Sequence, residues 1–67
     1  MNREQLLRAL RYYARKRHLA FDVDTKRGKG SHYWVQVGDA ETVIQHDVNP
    51  KRIRTILKQL KIDPADL

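Results

Sequence analysis

The chain has 67 residues, of which 14 are Lys or Arg and 8 are Asp or Glu, so its formal net charge is +6. This length suits one small domain with a thin core, and we predict a single domain over residues 1–67. The absence of cysteine excludes a disulfide framework and a Cys-based zinc site. No apolar run approaches the roughly 20 residues of a membrane span, and no apolar segment of signal-peptide kind follows the N-terminus. We therefore expect a cytoplasmic protein that does not bind membranes.

The excess positive charge lies entirely in the first part of the chain. Residues 1–30 contain nine basic and three acidic residues, whereas residues 31–67 contain five of each. A basic half beside a balanced half is typical of a surface that binds a polyanion. A basic face that only aids solubility is the simpler alternative, but the concentration of the charge favours nucleic acid.

A first helix is predicted from about Arg3 to Arg17. Asn2 is a good N-cap residue, and Gln5 follows three residues later, as in a capping box. Apolar residues then recur at helical spacing. They are Leu6, Leu7, Leu10, Tyr13 and Ala14.

The other side of this helix carries Arg8, Arg11 and Arg15, which stack along one face at steps of three and four residues. Like charges at this spacing repel each other, and an anionic partner would relieve the repulsion. The alternative is a solvated face on which Glu4 pairs with Arg8.

Three strands are predicted next, at residues 19–24, 31–37 and 41–46, with a turn at Gly38-Asp39. Within the second strand, alternation places His32, Trp34 and Gln36 on the face opposite Tyr33, Val35 and Val37. The strands form an antiparallel meander.

A second helix begins with Asn49 as N-cap and Pro50 as first helical residue, and ends near Lys61. Its apolar side is Ile53, Ile56, Leu57 and Leu60, and its outer side carries Lys51, Arg52, Arg54 and Lys58. The order helix, three strands, helix predicts an α+β fold of α-β-β-β-α type. Both helices cover one face of a three-stranded antiparallel sheet and leave the other face open.

The loop before the second strand is the best candidate for a functional site. Glycines let a backbone turn tightly and approach a ligand closely, lysine and arginine attract phosphate, and histidine can move a proton near neutral pH. We predict loop positions at Gly28 and Gly30. The predicted RNA-binding residues are Lys26, Arg27, Lys29, Ser31, Trp34, Arg8, Arg11 and Arg15.

His32, directly after this loop, is the candidate catalytic residue. It could take the proton from a ribose 2′-hydroxyl or give one to the leaving 5′-oxygen, while Arg27 and Lys29 steady charge on the phosphate. Ser31 could orient His32 or bind a phosphate oxygen. No paired carboxylates lie at a spacing suggestive of metal binding, so we expect neither a metal nor a cofactor. On spacing alone, an ordinary histidine at a strand edge is the safer interpretation.

Two further residues have open alternatives. Trp34 could stack on a base or contact a protein partner, or it could cover the small core. A turn of even length would pair Val35 with Thr42 or Ile44 and direct His46 away from His32, whereas an odd length would bring the two histidines to one face. Apolar matching favours the even turn, and only Val43 favours the odd one.

The chain resembles the HicA toxins, small RNases of bacterial and archaeal toxin–antitoxin pairs. The resemblance rests on Gly30-Ser31-His32 opening a strand, on Thr42-Val43 and His46 in the next strand, and on residues 53–60 in the closing helix. It covers nearly the whole chain. It implies a fold like the double-stranded-RNA-binding domain, cleavage of messenger RNA with His32 as catalytic residue, and inhibition by a HicB-type antitoxin.

The sequence departs from the usual HicA pattern in three places. The stretch 18–21 stands where members often have a glycine and a large apolar residue, and the loop before His32 is long and very basic. Ile44 stands where a proline often precedes the second histidine by two residues, which weakens a catalytic role for His46. A non-catalytic RNA-binding module of the same fold is the main alternative. A protein whose open face serves only a protein partner is the third.

Overall fold

The computed structural model describes residues 1–27 and 32–67, so Gly28, Lys29, Gly30 and Ser31 lie outside the described residues. The element order is helix, three strands, helix, as predicted, and a short 3₁₀ helix follows. The elements are α1 (Arg3–Lys16), β1 (Phe21–Asp24), β2 (Tyr33–Val37), β3 (Ala40–Ile44), α2 (Pro50–Gln59) and the 3₁₀ helix Pro64–Asp66.

Both helices begin at the predicted caps. The side-chain oxygen of Asn2 accepts a hydrogen bond from the backbone N–H of Gln5 at 2.8 Å, and the Gln5 side chain accepts one from the backbone N–H of Asn2 at 2.9 Å. Asn49 accepts from the backbone N–H of Arg52 at 2.8 Å, and Pro50 is the first residue of α2. These bonds satisfy N–H groups that have no partner inside a helix.

Both helices also end in the same way, with a non-glycine residue in the left-handed conformation. His18 follows α1 with φ 56°, and Lys61 follows α2 with φ 60°. After α1, the N–H of Leu19 bonds to the carbonyl of Ala14 at 2.8 Å, which is the Schellman arrangement. Because Leu19 completes this cap, β1 starts at Phe21 and not at Leu19 as predicted.

The left-handed residue after α2 gives a stability prediction. A residue with a Cβ atom pays roughly 1–2 kcal/mol in this conformation, so we expect Lys61→Gly to stabilise the domain by about 0.5–1 kcal/mol. For a domain of this size, that is a rise in Tm of about 2–8 °C in a thermal melt. Lys58→Gly, one turn earlier inside the helix, is the matched control and should destabilise by about 1 kcal/mol. Equal effects of the two substitutions would contradict the assignment of the cap.

The sheet has the order β1-β2-β3 and the even register. Val35 pairs with both Val23 and Thr42, and the hairpin between β2 and β3 turns at Gly38-Asp39. Gly38 has φ 60°, a conformation that the tight hairpin turns with two-residue loops require. Ile44 is fully buried and Val43 is about half exposed, as apolar matching predicted.

Two strand boundaries were predicted too long at the ends that hold the histidines. β2 begins at Tyr33, so His32 precedes the strand, and β3 ends at Ile44, so His46 lies beyond it. In the described part of the chain, Tyr33 and Ile44 form the last pair of the β2–β3 ladder. Neither histidine is therefore held by ladder hydrogen bonds.

One core lies between the helices and a single sheet face. Both helices contribute to it, together with Val35 and Val37 of β2 and Ile44 of β3. The other face of the sheet contributes no core residue among those described. Thr42 is buried and donates a hydrogen bond to the side chain of Gln59, which links β3 to α2. No helix in the described ranges is long and apolar enough to cross a membrane. The core residues are Leu6, Leu10, Ala14, Val35, Val37, Ile44, Val48, Ile56, Leu57, Leu60 and Ile62.

Candidate nucleic-acid interface

The open face of the sheet carries carboxylates, which the prediction of an RNA-binding face overlooked. Asp24 lies beside Trp34, which lies beside Val43, and the next row runs from Asp22 to Gln36 to Glu41. The strand residues on this face include no lysine or arginine. Phosphate would be repelled by the row of Asp22 and Glu41, so on this face a polyanion could approach only where the basic loop joins the sheet.

At that junction, Arg27 and Trp34 stack. The Arg27 guanidinium carbon lies 4.5 Å from the centre of the Trp34 ring, and Trp34 is half-buried. Asp24 holds the start of the loop, since one of its carboxylate oxygens accepts hydrogen bonds from the backbone N–H groups of Lys26 at 2.9 Å and Arg27 at 3.0 Å. The structure thus brings together two predicted RNA-binding residues, while the Lys26 side chain is exposed.

His32 is half-buried and directly precedes β2, two residues before Trp34. Among residues 1–27 and 32–67, none forms a hydrogen bond or ion pair with its imidazole. Its neighbour Ser31, predicted to orient it, lies outside the described residues, as does Lys29. His46 is exposed in a bend beyond the end of β3, where strand alternation no longer decides on which side it lies.

The predicted arginines of α1 lie on the other side of the sheet from Trp34. Arg8 and Arg11 line a groove of about 340 Å³ between α1 and β1, whose apolar part includes Phe21 and Tyr33. Thr25, the first residue after β1, lines the same groove, so the groove leads to the basic loop. Arg15, one turn further along α1, is exposed and is not among the described residues that line it.

The groove also contains Glu4, but the structure shows no ion pair between Glu4 and Arg8. One ion pair among the described residues joins Arg17 to Asp66 at 3.3 Å, with both side chains about half exposed. Such a pair is worth little, and it ties the end of α1 to the 3₁₀ helix. Because Arg8 is not paired with Glu4, its charge remains available to an anion in the groove that it lines.

Several cations instead lie over aromatic rings, which sequence reasoning missed. Arg3 lies 3.7 Å from the Tyr33 ring centre, Arg11 lies 5.6 Å from that of Phe21, and Arg17 lies 4.7 Å from that of Tyr13. The pair of Tyr13 and Arg17 has the i, i+4 helical spacing that could have predicted it. The other pairs join distant parts of the chain. A cation–π contact of this kind holds a guanidinium group over the ring through its flat face and not through its N–H edge.

No three His, Asp or Glu side chains among the described residues gather in a way that could hold a metal ion. Comparison of the chain with protein-family models, with curated proteins and with solved structures gives no match. The resemblance to HicA therefore rests on the sequence motifs alone. The described residues thus place an imidazole at the start of the central strand β2, two residues before the indole that the Arg27 guanidinium contacts.

Proposed function

We propose that this protein is an endoribonuclease toxin that cleaves messenger RNA with His32 and is neutralised by a HicB-type antitoxin. The observation that supports this best is the position of His32 between the basic loop and Trp34, on which Arg27 stacks. The resemblance to HicA assigns the same histidine. In this proposal, α1 and the loop bind RNA, and the reaction needs no metal.

The proposed reaction is attack of the ribose 2′-oxygen on the adjacent phosphorus. His32 as general base removes the 2′-hydroxyl proton, the bond from phosphorus to the 5′-oxygen breaks, and that oxygen takes a proton from water. The products are a 2′,3′-cyclic phosphate and a 5′-hydroxyl. Arg27, with Lys29, would stabilise the charge that develops on the phosphate oxygens.

The basic groove indicates how RNA would reach His32. Arg8 and Arg11 stand at the rim of the groove, and Thr25 connects its lining to the start of the loop. An RNA strand that follows these cations would pass from α1 to Thr25 and Arg27 and so come near the start of β2. This path avoids the row of Asp22 and Glu41.

Salt dependence tests this path. Binding weakens as salt rises, so a plot of log K against log salt has a negative slope. If Arg8 and Arg11 each contact a phosphate, the double substitution to alanine should make this slope less steep by about 1.4, or roughly 0.7 per contact for single-stranded RNA. Fluorescence anisotropy with a 2′-O-methyl RNA, which cannot be cleaved, measures this slope. Arg54→Ala, an exposed arginine on α2, is the control and should leave the slope unchanged. An unchanged slope in the double variant would contradict the path.

A non-catalytic RNA-binding module is the second candidate, favoured by one observation. In the part of the chain that the structure describes, no side chain orients the His32 imidazole, whereas catalytic histidines are usually held by a partner. The two candidates differ in a simple assay, since a binding module retains RNA without producing fragments. Time-dependent cleavage in EDTA by the purified protein, lost in His32→Ala, decides for the nuclease.

Expression in cells tests the toxin and antitoxin part of the proposal. Production of this chain alone should arrest growth, and His32→Ala should relieve the arrest at equal protein level. Co-expression with a HicB-type protein should restore growth to the wild-type chain. Growth arrest that persists in His32→Ala would contradict a toxic activity based on His32.

A further inference from the structure

A carboxylate, Asp24, stands where β1 meets the basic loop, and attraction of a polyanion does not explain its presence there. Asp24 is a carboxylate at the edge of a basic loop, where it would weaken binding of any polyanion through its charge. Yet it accepts two backbone hydrogen bonds, from Lys26 and Arg27. Asp22, two residues earlier on the same face, is exposed and accepts no hydrogen bond from the described loop residues 25–27.

These two hydrogen bonds fix the direction in which the first loop residues, up to Arg27, leave the sheet. The backbone of Arg27 is held at 3.0 Å from the carboxylate of Asp24, and Asp24 pairs across the sheet with Trp34. The guanidinium of Arg27 consequently reaches the Trp34 ring, at 4.5 Å. Asp24 therefore acts as a positioning residue for the stack of Arg27 on Trp34.

We propose that the Arg27–Trp34 stack, positioned by Asp24, is a binding site for one unpaired nucleotide. This inference rests on the proposed function for its choice of RNA as ligand. The planar guanidinium and the indole together form a platform on which a base stacks, as bases do on aromatic side chains and arginine planes. The N–H edge of the same guanidinium then pairs with the adjacent phosphate.

The surroundings of the stack favour a single strand over a duplex. A base stacks on a side chain only when it is not stacked within a helix, so the platform selects unpaired nucleotides. Beyond Trp34 the open face continues with Asp22, Gln36 and Glu41. A duplex laid over the stack would bring its second backbone toward these two carboxylates, whereas a single strand can leave along the loop.

The first test uses fluorescence, because Trp34 is the only tryptophan of the chain. The probes are a nine-nucleotide 2′-O-methyl RNA and a 2′-O-methyl hairpin whose stem contains the same bases and whose loop is a linker without bases. We expect the single strand to change Trp34 emission and to bind about five- to a hundredfold more tightly than the hairpin, the range that one stacked base contributes. Equal or tighter binding of the hairpin, or binding that leaves Trp34 emission unchanged, would overturn the proposal.

The second test compares two carboxylates of one face. Asp22→Ala removes a negative charge and should raise affinity for the single strand, by up to about threefold. Asp24→Ala removes the same charge but also the loop anchor, and should lower affinity about two- to tenfold. Asp24→Asn keeps an oxygen that accepts both hydrogen bonds, so it should behave like Asp22→Ala. Equal gains in affinity in both alanine variants would show that Asp24 positions nothing.

These outcomes separate the stacking site from the nuclease itself. Emission of Trp34 in the absence of RNA reports whether Arg27 still lies over the ring, and circular dichroism reports whether Asp24→Ala is folded. If Asp24→Ala is unfolded, the comparison of Asp24→Asn with wild type replaces it, and a loss of affinity there contradicts the proposal. A wild-type protein that cleaves RNA but prefers the hairpin would refute only the stacking site. A protein that neither binds nor cleaves RNA would refute the proposed function.

Discussion

His32→Ala is expected to reduce the rate of RNA cleavage by about 100- to 10,000-fold, the contribution that a positioned general acid or base makes. His32 lies outside the core and outside the strands, and its side chain is half-buried. Removal of the imidazole should therefore leave the fold intact, so the loss of activity should reflect a slower cleavage step and not unfolding. Cleavage of a fluorescent RNA in EDTA, with circular dichroism of the same sample, measures both quantities.

His46→Ala is the matched control for this substitution. Like His32, His46 lies just outside a strand, since it follows the end of β3. Unlike His32, it is exposed. We expect it to retain activity within about threefold of wild type, as for a surface substitution that costs less than about 0.5 kcal/mol. Full activity in His32→Ala would remove His32 from the mechanism.

The products of the reaction test the mechanism independently of any variant. Attack by the 2′-hydroxyl leaves a 2′,3′-cyclic phosphate at each cut, which mass spectrometry of the fragments detects. It also makes the deoxy analogue at the cleaved position resistant. A 3′-hydroxyl at the cut would rule out this route even if His32 proved essential.

Local patterns were sufficient to predict the fold. Asn2 with Gln5 and Asn49 with Pro50 mark the starts of both helices, since few residue types can satisfy the exposed N–H groups there. The register of β3 followed from burying Ile44, because a slip by one residue would expose it. The strand ends were less predictable, since alternation continues in the sequence after the ladder hydrogen bonds stop.

The candidate site was predictable in its residue types but not in its arrangement. The same alternation that partly buries Phe21 and Val23 puts Asp22 and Asp24 on the open face, so the carboxylates of β1 on this face were predictable from the sequence. The stack of Arg27 on Trp34 could not, because it depends on how the loop leaves β1. That direction is set by backbone hydrogen bonds to Asp24. An aspartate often accepts such a bond from the residue two positions on, but this rule does not say where the Arg27 side chain goes.

Because the core is thin, Leu10→Ala is expected to unfold much of the protein. A chain of 67 residues is expected to have a free energy of unfolding of about 3–10 kcal/mol. Leu10 lies on the core side of α1 and is fully buried. Leu10→Ala removes its side-chain contacts and leaves a cavity, at a cost of about 2.7–5 kcal/mol. We therefore expect a large part of this variant to be unfolded at 37 °C.

Leu67→Ala makes the same chemical change at a position that is 41% exposed and outside the core, and it should cost less than about 1 kcal/mol. Urea denaturation followed by circular dichroism measures both variants, and similar midpoints would contradict the core assignment. The comparison also bears on function. Leu10→Ala and His32→Ala should both relieve growth arrest, but only the first should lower the amount of folded protein. A variant that loses activity while keeping the wild-type unfolding midpoint therefore identifies a residue of the site, and His32 is the residue for which we expect that combination.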